Sequence, residues 1–465
     1  MPVFKSGDSH DFSNYRPISL LSTFAKLQEK ILAIQMMKYL NKFRILYDHQ
    51  YGFRSKHNTL HPMLHFLNKI YDSLNKDTPE YTLGIFIDLK KAFDTCDKNI
   101  LLSKLDHYGF RGIVNCWFHS YLSNRQQFTI VNDTPSSFRN MTCGVPQGSI
   151  LGPILFLILI NDLANSSESL FALLFADDTT LQISSSNIQE LYAIANKELI
   201  TVSEWFRANK LTLNISKTKY ILFRKTKMKV DFSNLCLNID NCPVDRIGEG
   251  CKESSFKFVG IKIDEFLQFK EHMKSVRSKI TSATFALSKV KNILPEYTKL
   301  TIYNSLVKSH LEYCNIAWGK VSSKSLSELQ TLQKKALRYV ANVKGNAHVD
   351  PLFLKYKILN VNDMVDYSLG TFMYKYTYNM SPYSFENFFQ KLPNHDRNLN
   401  FRTEMIKSGS LKFFPSHTLP NFWNSLCLEM KRINSFPVFK KHLAIHLQSS
   451  YKRRCTTQNC FSCNH

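Results

Sequence analysis

An apolar, β-prone run that breaks on two adjacent acids is the strongest constraint in this chain. Leu170-Phe171-Ala172-Leu173-Leu174-Phe175 leads through Ala176 to Asp177-Asp178, and Thr179-Thr180-Leu181-Gln182-Ile183 follows. The pattern predicts a β-hairpin with Asp177 and Asp178 at its tip. Two neighbouring carboxylates repel, and an apolar hairpin does little to relieve them, so a cation is a natural partner. A hard divalent metal prefers such oxygen ligands. Asp is also common in polar turns, so the pair alone leaves both readings open.

A second acid stands in a matching context. Tyr81-Thr82-Leu83-Gly84-Ile85-Phe86-Ile87 ends on Asp88, with a helical segment expected over Lys98–Leu105. Acids are poor strand formers and need another reason to end a central strand. Two strand-end carboxylates far apart in sequence can converge on a metal pair. That arrangement suits in-line phosphoryl transfer, with metals about 3.5–4 Å apart.

With these residues in place, the sequence resembles a known family. Phe175-Ala176-Asp177-Asp178, Asp88 with Lys91-Ala92-Phe93-Asp94, and Gly144-Val145-Pro146-Gln147-Gly148-Ser149 are similar to three successive reverse transcriptase motifs. Asn14-Tyr15-Arg16-Pro17-Ile18-Ser19-Leu20 and Gln50-Tyr51-Gly52-Phe53-Arg54 resemble two fingers motifs. The set is similar to non-LTR retrotransposon (LINE) polymerases of the jockey and CR1 kind, and its order and spacing are more specific than any single motif. The resemblance implies an α+β right-hand polymerase with fingers, an antiparallel-sheet palm and a helical thumb, followed by a helical C-terminal region. It also implies that an upstream endonuclease is missing from this chain.

Composition agrees with a polyanion partner. Lys and Arg total 60 against 37 Asp and Glu, a formal net charge of +23 over 465 residues. The cations recur along nearly the whole length, as a nucleic-acid channel requires. Hydrophobic residues make up 44% of the chain, enough for a sizeable core. Eleven cysteines form no regular framework, which points to reduced thiols and an intracellular protein of nucleus and cytoplasm. The most apolar run, Ile150–Ile160, is too short to span a bilayer and reads as a buried helix; no membrane partner is expected.

Residues 1–266 read as fingers and palm. Phe24, Leu27 and Ile31 recur at helical spacing, with Lys26, Glu29 and Lys30 elsewhere, and a further helix is expected over Thr59–Leu74. Arg16, Lys26, Lys30, Arg54 and Lys56 are candidates for template or triphosphate phosphates, and the fingers motif favours Arg54. Phe93 resembles an aromatic gate against a 2′-hydroxyl, although with 35 Phe in the chain a core role stays open. Asp94 is expected to cap the following helix rather than bind metal. Tyr121–Val131 and Phe138–Cys143 read as strands. Gly144–Gly152 is a loop able to cradle a nucleotide before a helix N-terminus, with Gln147 and Gly148 at the family's nucleotide-contact positions. Asn187–Arg207 has an amphipathic helical pattern. Lys217, in Asn214-Ile215-Ser216-Lys217-Thr218, fits the family's cation near the leaving pyrophosphate, with Lys219 the alternative.

Residues 267–345 read as a helical thumb with apolar stripes and outward cations, suited to an RNA–DNA duplex. Residues 346–450 form a C-terminal helical region rich in Tyr, Phe and Lys, with a helix start at Ser435-Phe436-Pro437. Residues 451–465 are a Cys-containing tail whose Cys455, Cys460, Cys463 and His465 have irregular spacing for zinc. The residues and the resemblance together imply an RNA-directed DNA polymerase acting on template RNA, primer DNA and deoxynucleoside triphosphates. Asp88, Asp177 and Asp178 would hold two Mg²⁺, and Lys217 would assist catalysis. The competing reading is an inactive retroelement remnant that only binds nucleic acid.

Overall fold

The apolar runs that end in acids pair with one another. Tyr81–Ile87 lies antiparallel to Asp178–Ser185, from Tyr81 opposite Ser185 to Ile87 opposite Thr179. Phe171–Phe175 pairs with the far side of Asp178–Ser185, closing the expected hairpin with Phe175 opposite Asp178. Lys219–Phe223 and Asp245–Ile247 extend the other edge, so the five-stranded sheet runs Asp245–Ile247, Lys219–Phe223, Tyr81–Ile87, Asp178–Ser185, Phe171–Phe175. The computed structural model describes residues 1–451 apart from 6, 132 and 394. The tail residues Cys455, Cys460, Cys463 and His465 lie outside them.

The described chain divides into two compact units. One comprises Met1–Asn58, Tyr81–Leu222 and Lys229–Arg246; the other comprises Thr59–Glu80, Phe223–Met228 and the chain from Ile247 onward. Helix and strand are mixed, and the fold is α+β. Among the described residues no helix is long and apolar enough to cross a membrane, and Cys96, Cys116, Cys143, Cys236, Cys242, Cys251, Cys314 and Cys427 are free thiols.

In the first unit the central strand Tyr81–Ile87 is buried from Thr82 onward, because helices cover the sheet. Leu151–Ile160 is apolar all round and almost wholly buried, as its sequence requires. Ile188–Ala208 lays Leu191, Ala195, Leu199, Val202 and Phe206 on the core, and the Asn187 side chain caps it by accepting from the Gln189 and Glu190 amides. Leu83, Ile85, Leu155, Leu174, Leu199 and Leu222 belong to one continuous apolar core.

Three local expectations are corrected in this unit. The helix Thr23–Lys42 forms behind a Ser22 cap, but Phe24, Leu27 and Ile31 point outward, with exposures of 86%, 58% and 52%. Ala33, Met36, Leu40 and the carboxylate Glu29 face inward instead. Glu29 tolerates burial because its two oxygens accept from the Tyr121 hydroxyl (2.8 Å) and the Ile150 amide (2.7 Å). Periodicity locates a helix but does not choose which face packs. Second, Asp94 does not cap the following helix: Lys98–His107 is capped by Asp97, which accepts from the Asn99 and Ile100 amides. Third, Tyr121 and Leu122 end the helix Ile113–Leu122, and the expected strands shrink to the short ladders Gln126–Gln127 with Arg139–Asn140 and Ile130–Val131 with Thr134–Pro135.

The second unit is mostly helical. Its hairpin Phe256–Phe258 and Ile261–Ile263 turns through Val259-Gly260, and the Tyr313 hydroxyl donates to the Val259 carbonyl (2.7 Å). The long helices Lys270–Val290 and Ser323–Ala341 bury Ile280, Ala283 and Leu287 on one and Leu329, Ala336, Leu337 and Val340 on the other. Arg277 and Glu328 join them by an ion pair of 2.9 Å. Gln333 is fully buried and donates to the Tyr303 hydroxyl and the Leu359 carbonyl, both at 2.9 Å. The helix Phe436–Gln448 starts at Ser435 with Pro in its first turn, where a missing amide donor does no harm.

Candidate active site

The strand register brings the acids together. Ile87 pairs with Thr179, so Asp88, one residue further, comes level with Asp178 at the same end of the sheet. Asp177 sits beside it in the two-residue turn between Phe175 and Asp178. All three carboxylates lie within the first unit. Their mutual field is felt: burial raises the Asp177 carboxyl above its usual range, the Asp88 charge adds to the rise, and Arg16 and Lys5 oppose it. Burial, then Asp177 and Asp88, push Asp178 up to about 6, while Lys5 again opposes. Both residues are nevertheless exposed to water.

Such a cluster of oxygen anions is the donor chemistry that a hard divalent cation prefers. Among the described residues, however, no three acid, imidazole or thiol groups are gathered at metal-ligand distances. The carboxylates interact through space rather than as a closed cage. They fit a cation that is bound jointly with substrate oxygens, as Mg²⁺ commonly is.

Neighbouring segments hold the acids in place. The Asn214 amide donates to Asp88 Oδ2 (2.8 Å), and its backbone N–H donates to the Asp88 carbonyl (2.8 Å). The Thr218 hydroxyl receives the Asp88 amide (3.3 Å). Lys217 is exposed on this same turn, whereas Lys219 is occupied by an ion pair with Asp245 (2.5 Å). Of the two candidate cations, Lys217 is therefore the one not held in that pair.

On the opposite side, residues 49–54 run along the hairpin. The Tyr51 amide donates to the Leu174 carbonyl (2.8 Å), and the Leu174 amide donates to the His49 carbonyl (3.0 Å). Arg54 does not project freely: Nη1 donates to the carbonyls of Tyr47 (2.8 Å) and Gln50 (3.2 Å), and burial lowers its pKa. Its guanidinium folds this strap. Phe53 meets Phe93 edge-on, with centroids 6.3 Å apart, and Phe93 stacks on Phe156 at 4.6 Å. Phe93 is thus half-buried, one face on the core and its remaining surface open.

The glycine-containing loop is tied to the segment after Asp88. The Gln147 amide donates to Asp94 Oδ1 (2.8 Å), and its carbonyl accepts from the Ser19 amide (2.7 Å). Gly148 has φ +99°, and a Cβ there would press on the Ser19 carbonyl at 3.1 Å, so this position needs glycine. The structure thus gathers Asp88, Asp177, Asp178, Lys217, Arg54, Phe93, Gln147 and Gly148 into one unit. Sequence reasoning missed Gln50, Asn214, Thr218 and Lys5. Asn214 stood in the motif that supplied Lys217, but its contact with Asp88, 126 residues away, left no signal in the sequence, and Lys5 offered none.

Residues 5–263 match the model of the reverse transcriptase (RNA-dependent DNA polymerase) family. A probable RNA-directed DNA polymerase from transposon BS of Drosophila melanogaster is 29% identical over 345 residues, covering 71% of this chain and 36% of that protein. The RNA-directed DNA polymerase from mobile element jockey of the same organism is 25% identical over 353 residues, covering 73% and 37%. The chain spans little more than a third of the length of these relatives. Among solved structures, telomerase from Candida albicans aligns with a TM-score of 0.39 and 13% identity over 72% of this chain and 58% of that one, too loosely to bear on what this chain does. The family match takes in more than half of the residues, including every acid of the site, and the chain belongs to the reverse transcriptase (RNA-dependent DNA polymerase) family.

Proposed function

We propose that this chain is the RNA-directed DNA polymerase of a non-LTR retrotransposon, adding deoxynucleotides to a primer 3′-hydroxyl on a template RNA. The observation that carries the reading is the register that sets Asp88 level with Asp178 and beside Asp177. The names of the relatives, RNA-directed DNA polymerases of mobile elements, support it.

Asp88 and Asp177 would hold two Mg²⁺, with Asp178 the lesser ligand. When bound, the metals would lower the pKa of the primer hydroxyl and offset the triphosphate charge. The protein's own residues do the rest. Asn214 and Thr218 fix Asp88 at the end of its strand. Arg16 and Lys5, whose charges reach Asp177, and exposed Lys217 supply positive charge for phosphates and for the leaving pyrophosphate. Arg54 serves the nucleotide by shaping the strap that carries Phe53. The Gly144–Gly152 loop, with Gln147 and Gly148, borders the nucleotide, and Phe93 screens its sugar. Residues 1–266 would act as fingers and palm, 267–345 as a thumb on the duplex, and 346–450 as a C-terminal helical region; free thiols suit an intracellular setting.

The test is primer extension on an RNA template with Mg²⁺, beside RNA retention on a filter. The wild-type chain is expected to extend, and Asp177→Asn to bind RNA without extending. Retention without extension by the wild type would favour the nucleic-acid-binding remnant. Near-native extension by Asp177→Asn would overturn the assignment of the acids.

A further inference from the structure

The geometry points to Gln50 as a positioning residue for the catalytic hairpin, acting through the backbone of Ala176 on Asp177; the inference rests on the polymerase reading. Gln50 is completely buried. Its Oε1 accepts two backbone amides, from Gly52 (2.9 Å) and from Ala176 (3.0 Å). Its Nε2 is buried without a hydrogen-bond partner, so the side chain is tied to its surroundings through its oxygen.

Those contacts join two segments more than a hundred residues apart at a strained point. Ala176 is the first turn residue of the hairpin and has φ +58°, a conformation that disfavours any side chain beyond glycine. The next residue is Asp177. The Gln50 oxygen holds the Ala176 amide where the turn needs it, and through the same atom fixes the strap that passes over it. The approach is close: a Cβ on Gly52 would stand 2.4 Å from the Ala176 nitrogen. The bridge of Gln50 to Leu174 adds a second tie two residues before the turn. Among the described residues no other group accepts the Ala176 amide. Without Gln50, the turn is free to relax toward an unstrained backbone, and Asp177 turns with it.

Gln50→Met keeps the volume and removes the acceptor, so the packing of the corner is retained. Mn²⁺ binding followed by electron paramagnetic resonance reads the acids without requiring turnover. Gln50→Met is expected to weaken Mn²⁺ binding and to lower kcat for nucleotide addition, each by roughly 10-fold to 100-fold, with KM for the nucleotide unchanged. Adding Ala176→Gly, which accepts the turn geometry without strain, is expected to restore part of both. Wild-type Mn²⁺ affinity and kcat in Gln50→Met would overturn the inference, as would a loss confined to KM. Amide hydrogen exchange on the wild-type chain gives a check that survives poor folding of the variant: slow exchange at Ala176 and Gly52 is expected, and rapid exchange there would overturn the proposed tie. If the wild type fails to extend a primer, the polymerase reading falls, while Mn²⁺ affinity and amide exchange still decide the role of Gln50.

Discussion

The side-chain amide of Asn214 donates to Oδ2 of Asp88 at 2.8 Å while the two backbones exchange a further bond of 2.8 Å. The segment after the helix Ile188–Ala208 is thereby laid along the end of the central strand, with Lys90 donating to the Thr212 carbonyl at 2.9 Å. One oxygen of Asp88 is oriented by a neutral donor, and on the polymerase reading the other would face the metals. Asn214→Ala is expected to lower kcat for nucleotide addition by roughly 10-fold to 100-fold, with a higher Mg²⁺ requirement and little change in thermal stability. Steady-state extension over a Mg²⁺ series checks this; an unchanged Mg²⁺ requirement would refute the orienting role.

The raised carboxyl of Asp178 makes a pH prediction. Its folded pKa, about 6, lies above the usual value of 3.8, so the folded state holds the proton more tightly than the unfolded chain. Between those values stability falls as pH rises, because the fold must accept an unwelcome charge. Metal-free protein is therefore expected to gain thermal stability from pH 7 to pH 5 at this group, and Asp178→Asn to flatten that dependence. Mn²⁺ affinity should run the opposite way and weaken below pH 6, since protons compete for the oxygens. Paired thermal melts and Mn²⁺ titrations across this range test both signs.

Gly52 has no room for a side chain. Its would-be Cβ meets Ala176 backbone at 2.4 Å, and backbone yields less readily than a flexible side-chain tip. Gly52→Ala is expected to destabilise the fold by about 1–3 kcal/mol and to depress extension beyond what that loss explains, because the strain falls next to Asp177. Chemical denaturation together with extension well below the melting temperature separates the two effects. Full activity at a lowered melting point would show the strap to be merely structural.

Phe93 combines core packing with an open edge. Its stacking on Phe156 at 4.6 Å gives any truncation a stability cost, about 0.5–3 kcal/mol. Its exposed remainder gives truncation a second consequence if the ring screens the nucleotide sugar. Phe93→Val is expected to raise ribonucleotide incorporation relative to deoxyribonucleotide incorporation while retaining extension. Single-nucleotide competition on one template measures that ratio, and an unchanged ratio would assign Phe93 to the core alone.

Strand and acid were legible together in the sequence. Alternating or continuous apolar runs ending in Asp88 and Asp177-Asp178 define strands by local chemistry, and the sheet pairs them as expected. The all-apolar Leu151–Ile160 and the striped Ile188–Ala208 were likewise decided by composition and period. Other features were settled only by tertiary structure, because they depend on which surfaces meet. The helix Thr23–Lys42 has two usable faces, and the donors Tyr121 and Ile150 made the one bearing Glu29 the buried one. Asp94 lost the cap to Asp97 because the chain turned three residues later and Gln147 claimed its carboxylate. Gln50 opened a recognisable motif, but its tie to the hairpin had no local signal: its partner amide lies 126 residues away. Sequence fixes what each segment can form; a hydrogen-bond donor or a buried face acquires its role only from the segment that folding brings against it.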